Sequence, residues 1–146
     1  MQGISSDELV TQLMRLLPEV KPHFEKAAER HDLRVSQVTH WEQVNTSPGA
    51  FLSDVLAYPL FQPLMESPEI NAEGEEFLKR CFEFIEALEE DPTGWLVDTA
   101  YFTFIEFFLE SREVCDRAFR YAWPKTRAKI LAMLKGWNVP VDPAWE

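Results

Sequence analysis

Two apolar series lie back to back between Asn71 and Ser111, and the first of them has a helical period. Within 72–90, Phe77, Leu78, Cys81, Phe82, Phe84, Ile85 and Leu88 fall in one half of a helical wheel. Glu75, Glu83, Glu86 and Glu90 fall on the other side. A strand alternates every second residue and cannot collect these positions on one face. The second series, about 95–110, is apolar nearly all round, with a narrow polar stripe of Thr99, Thr103, Glu106 and Glu110. A helix of that kind must be mostly buried, which predicts a central position for it. Asp91-Pro92-Thr93-Gly94 between them has the chemistry of a turn.

The rest of the chain reads as further helices. Ser5 and Glu8 form a Ser-x-x-Glu capping pattern ahead of Leu9, Leu13, Leu16, Leu17 and Val20. Pro18 and Pro22 divide that series into pieces at about 6–17 and 19–31. The segment 33–44 is ambiguous between helix and strand. Ser47-Pro48 starts a helix expected to stop at Pro59, with a short piece over 60–66 and a loop over 67–71. Asn71 and Ser111 suit the N-cap positions of the helices that follow them. Pro124 opens the last helix, 124–135, with Gly136 as its C′ residue and Trp137 folded back over the final turn. Residues 137–146 are expected to be irregular. The expected architecture is all-α: one domain, 1–146, of about six to seven helices, with stacked hairpins as one arrangement.

A chain of 146 residues, 46% of them hydrophobic, can bury one sizeable core. Cys81 and Cys115 each fall on the apolar face of an expected helix, which predicts two buried free thiols. The N-terminal residues lack the basic start and apolar run of a secretory signal, and the longest apolar-rich stretch is too short and too polar to span a bilayer. The expectation is a cytoplasmic protein without a membrane partner. Its net charge of −11 also disfavours nucleic acid, whose phosphates it would repel.

That charge is sorted along the chain. Residues 41–110 hold fifteen acids against Lys79 and Arg80, a balance of −13, whereas 111–146 hold seven bases against four acids, a balance of +3. An acidic field suits a basic partner. The candidate partner-binding surface is a ridge of Glu83, Glu86, Glu90 and Asp91, adjoined by the loop acids Glu66, Glu69 and Glu73. Trp41, Trp95 and Trp145 are the candidate aromatic anchors, Trp95 being nearest in sequence to the ridge.

Motifs for chemistry are missing. The sequence has no HExxH, no CxxC, no GxSxG and no glycine-rich phosphate loop, so no metal, cofactor or catalytic residue is assigned. His23 and His31 sit two turns apart, and His40 stands alone. Asp98 lies between the wheel positions of Ile105 and Leu109, on an apolar face. It is read as structural, bonding free amides of its helix's first turn or pairing with Arg117 or Arg120. The competing reading is a general acid or base.

The two helices around Phe84-Ile85-Glu86 and Phe104-Ile105-Glu106 resemble a family of small, uncharacterised bacterial helical proteins akin to the immunity proteins of toxin systems. The resemblance spans roughly residues 50–135. It implies a small acidic helical protein that binds and neutralises a toxin or effector domain, and it carries no catalytic residues. Together with the charge pattern it gives the expected function: a non-enzymatic binder of a basic toxin or effector. An adaptor or regulatory subunit of a bacterial complex is the alternative, and a small helical enzyme using Asp98 and a nearby Glu is the second.

Overall fold

The computed structural model describes residues 3–146, which are all-α with no strand. Two helices open the chain: α1, Leu9–Leu16, and α2, Lys21–Glu29. A 3-10 turn at Pro18–Val20 joins them, where proline leaves the helical register. The ambiguous segment resolves into two further 3-10 turns, Val35–Gln37 and Trp41–Gln43. Then α3, Pro48–Leu52, and α4, Gln62–Glu66, are joined by a π-helical stretch, Ser53–Phe61. After a loop come α5, Ala72–Glu89, and α6, Trp95–Ala100. The latter continues as a π segment, Tyr101–Ile105, and a 3-10 turn, Glu106–Leu109. Helices α7, Arg112–Tyr121, and α8, Pro124–Gly136, complete the fold.

Several caps are those read from the sequence. The Asn71 side chain accepts from the Gly74 N–H at 2.8 Å, and Ser111 Oγ accepts from the Val114 N–H at 3.1 Å. The Glu8 carboxylate accepts from the Ser5 hydroxyl at 2.7 Å. The expected stop at Pro59 does not occur, because the rod 48–66 runs through it. A proline clashes with the carbonyl four residues back, and the wider π spacing relieves that clash. At the end of α8 the left-handed residue is Asn138, with φ 56°, and Gly136 stays helical. Trp137 is exposed and does not fold back.

Four phenylalanines from three rods make the centre. Phe61 meets Phe104 edge-on at 5.4 Å between centroids and Phe82 at 5.7 Å, and Phe82 stacks on Phe108 at 5.8 Å. Such contacts add to the area that the rings bury. The rod 95–109 is central along its Leu96, Ala100, Phe104 and Phe108 side. Its outer side is open, which departs from the expectation of near-complete burial. Cys81 and Cys115 are buried and free. Gly3 is fitted closely against the end of α5: a Cβ on it would stand 2.1 Å from the Glu90 carbonyl oxygen. Only glycine allows that approach.

Arginines close several helix ends. Arg80 donates to the Leu16 carbonyl at 2.9 Å, while Glu76 and Glu19 hold its guanidinium and lower their own pKa values in doing so. Arg117 donates to the carbonyls of Leu64, Met65 and Ser67 at 3.1, 3.0 and 2.7 Å, finishing α4. Arg127 donates to the Phe119 carbonyl of α7 at 2.7 Å. A cation suits the negative end of a helix, whose last carbonyls lack partners.

Candidate functional site

The carboxylates of the expected ridge do not share one surface. Glu86 is only 2% exposed. Its Oε1 accepts from the Thr126 N–H and the Thr126 hydroxyl, each at 2.8 Å, and its Oε2 accepts from the Lys125 N–H at 3.0 Å. These donors open α8, where Trp123 stands at the N-cap with no side-chain cap of its own. Glu86 therefore supplies the missing cap from a neighbouring helix. The wheel places Glu86 outward because it sees one helix only, whereas α8 packs over that side of α5.

Asp91 is also removed from the ridge, at 6% exposed. It accepts from the Leu96 N–H at 2.9 Å, the Thr93 N–H at 3.1 Å and the Thr93 hydroxyl at 2.8 Å. It thereby ties the turn, with Gly94 at φ 73°, to the start of α6. Burial works against its carboxylate, but the donors from Leu96 and Thr93 outweigh it and hold the pKa below the usual aspartate value. One turn beyond Glu86, Glu89 has a buried Oε1 without a hydrogen-bond partner. Burial pushes its pKa up against the pull of Lys129, and the nearby Glu86 adds to the rise.

Glu83 and Glu90 are half-buried. Glu83 lines a small cleft with Glu8, Gln12 and Arg15. Glu66, Glu69 and Glu73 are exposed, but they lie at or before the first turn of α5. Glu73 is about 25 Å along the helix from Glu90, at 1.5 Å per residue. The loop acids thus lie apart from the end of α5, Glu66 in a cleft with α7 and Glu73 beside Leu60 and Phe77. Trp41 and Trp145 are buried, and of the three candidate anchors only Trp95 is exposed.

A different surface emerges on the outer side of the rod 95–109. Trp95 is 52% exposed and Phe102 67% exposed, with Asp98 and Glu106 exposed on the same rod. Neither acid makes an ion pair or a side-chain hydrogen bond among the described residues. Trp95 is braced by Trp41 at 5.7 Å between centroids, and Trp41 is fixed through its indole N–H to Ser6 Oγ at 3.1 Å. Asp98 was expected on an apolar face beside Ile105 and Leu109, or paired with Arg117 or Arg120. It does neither. The π segment turns Ile105 and Leu109 away from their ideal wheel positions, and both arginines are engaged elsewhere. Phe102 escaped the sequence reading because, on a rod apolar all round, nothing marks which phenylalanine faces out.

A cleft of about 500 Å³ lies between the end of α4 and α7, with Glu66, Glu110, Glu113 and Arg117 on its walls. Arg117 is bound to backbone carbonyls there and Arg120 to Asp116 at 3.2 Å, so the cations of the cleft are already engaged. Among the described residues no group of His, Cys, Asp and Glu is placed to hold a metal ion, and no helix is long and apolar enough to cross a membrane. His40 faces Asp7 at 3.4 Å and Glu42 at 3.9 Å. No protein-family model, curated protein or solved structure matches the chain.

Proposed function

We infer that the protein is a non-enzymatic binder that neutralises a basic toxin or effector domain, in the manner of a bacterial immunity protein. The observation that carries this reading is the outer side of the rod 95–109, where two exposed aromatics alternate with two unpaired acids. Exposed aromatics supply affinity when a partner desolvates them, and unpaired acids speed the encounter with a basic surface. The net charge of −11 extends the same field over the molecule. The ridge contributes through Glu83 and Glu90 only, since Glu86 and Asp91 are spent on helix starts.

The test uses the product of the reading frame encoded beside this one, co-expressed and then mixed in stopped flow. Binding should slow as salt rises, because exposed charges are screened beyond about 8 Å at physiological ionic strength. Asp98→Lys with Glu106→Lys should slow association about tenfold or more at low salt. Trp95→Ala with Phe102→Ala should mainly speed dissociation. A neighbouring product that does not bind removes the immunity reading. Binding that is indifferent to both double variants removes this surface.

A further inference from the structure

We propose that residues 137–146 form a latch over an apolar groove between α7 and α8, that Trp145 is its bolt, and that opening it uncovers Cys115 while the core stays closed. The segment leaves α8 at Asn138, whose φ of 56° turns the chain back, and the Val139 N–H bonds the Leu134 carbonyl at 2.9 Å. From residue 140 onward no backbone hydrogen bond joins it to the rest of the described structure; the bonds of Trp145 and Glu146 N–H go to Asp142 and Pro143 within the segment. Pro140, Pro143 and Ala144 are exposed. Beyond Val139 the segment is fastened by side chains: half-buried Val141 packs against the core, and Asp142 and Trp145 hold the far end.

Trp145 is 4% exposed and stacks on Phe119 at 5.0 Å between centroids, with 11° between the planes. Its indole N–H donates to Asp116 Oδ1 at 3.1 Å. The Arg112 guanidinium lies 5.3 Å from the ring centroid on one side and is ion-paired with Asp142. A hollow of about 200 Å³, open to solvent on one side, remains between the segment and the helices, with Phe108, Cys115, Leu134 and Trp145 on its apolar walls and Ser111 and Arg112 on its polar one. The closed segment thus bridges space instead of filling it. A span held through one ring, one half-buried valine and one ion pair opens at lower cost than the packed helices below it. Cys115 lies in that hollow, whereas Cys81 is wholly buried in the centre of the fold. Burial pushes the Cys115 thiol up to about 11, so it is quiet while the latch is closed.

The two thiols make the test internally controlled. Iodoacetamide is added to the native protein, and the alkylation rate of each cysteine is followed by peptide mass spectrometry. Trp145→Ala should label Cys115 about tenfold faster or more, with Cys81 still protected. Arg112→Gln keeps the ring and loses its cover and the Asp142 pair, so it should give a smaller rise, about twofold to fivefold, again at Cys115 alone. An unchanged Cys115 rate in Trp145→Ala overturns the latch. Should Trp145→Ala expose both thiols together, Arg112→Gln decides: a rise at Cys115 alone upholds the latch, and a joint rise or none overturns it.

Discussion

The end of α5 and the outer side of the rod 95–109 are neighbours in sequence and both carry acids, yet they use their carboxylates in opposite ways. Over 86–91, Glu86 and Asp91 are turned inward onto the free N–H groups that open α8 and α6. Over 95–106, Asp98 and Glu106 are left to solvent beside Trp95 and Phe102. Counting acids along the chain cannot separate the two cases. What separates them is whether another helix aims its start at the carboxylate, since each helix start presents donors that need an acceptor. Charge density therefore locates an interface only after the acids consumed as caps are set aside.

The aromatic residues of the rod give the largest test of this contrast. Phe104 meets Phe61 in the centre, and Phe104→Ala should cost about 3–5 kcal/mol in chemical denaturation. Phe102→Ala, two residues away and exposed, should stay within about 0.5 kcal/mol. Equal losses would mean that the outer side is structural after all.

The acids come next. Glu86→Ala strands three donors at the start of α8 and should cost about 1–3 kcal/mol. Asp98→Ala should cost less than about 1 kcal/mol, all that a first-turn acid contributes through the helix dipole. A reversal of that order would break the distinction between pinned and free carboxylates.

The smallest effect is one of pH. The Asp91 pKa is depressed below its ordinary 3.8, so its contribution is complete above 3.8 and is lost as pH falls through the folded value. Glu89 has the opposite sign. Its pKa is raised above 4.5, so its ionised form burdens the fold at neutral pH, and that burden lifts as pH falls through the raised value toward 4.5. The groups facing it are Lys129, Lys125 and Glu86. Relative to wild type, Glu89→Gln should be the more stable at neutral pH and lose that lead on acidification to 4.5. Asp91→Asn should be the less stable at neutral pH and recover toward wild type only below 3.8. Denaturation midpoints of the two variants between pH 3 and 7 measure both trends.

Helical character, helix order and most caps were legible in the sequence, because they depend on contacts within a few residues. The apolar half of α5, the Asn71 and Ser111 caps and the Asp91–Gly94 turn are all local in this sense. One nonlocal fact also left a trace. The last helix begins at Trp123-Pro124 with no capping side chain, which signals that an acceptor must come from elsewhere, although not that it is Glu86. The other departures arise where a wheel assumes a regular helix. The rod 48–66 passes through Pro59 and the rod 95–109 shifts at 101–105, both by π turns.

The sequence by itself thus determined an all-α chain, its two buried thiols and the acidity of its middle. Tertiary structure decided which acids are free, that Phe102 and Trp95 face out while Trp41 and Trp145 do not, and that the final segment lies against α7 through Trp145 and Asp142. The physical reason is range. Helical periodicity and capping are set by residues three or four apart, whereas the fate of a carboxylate or an aromatic ring depends on which distant helix end or groove packing brings against it.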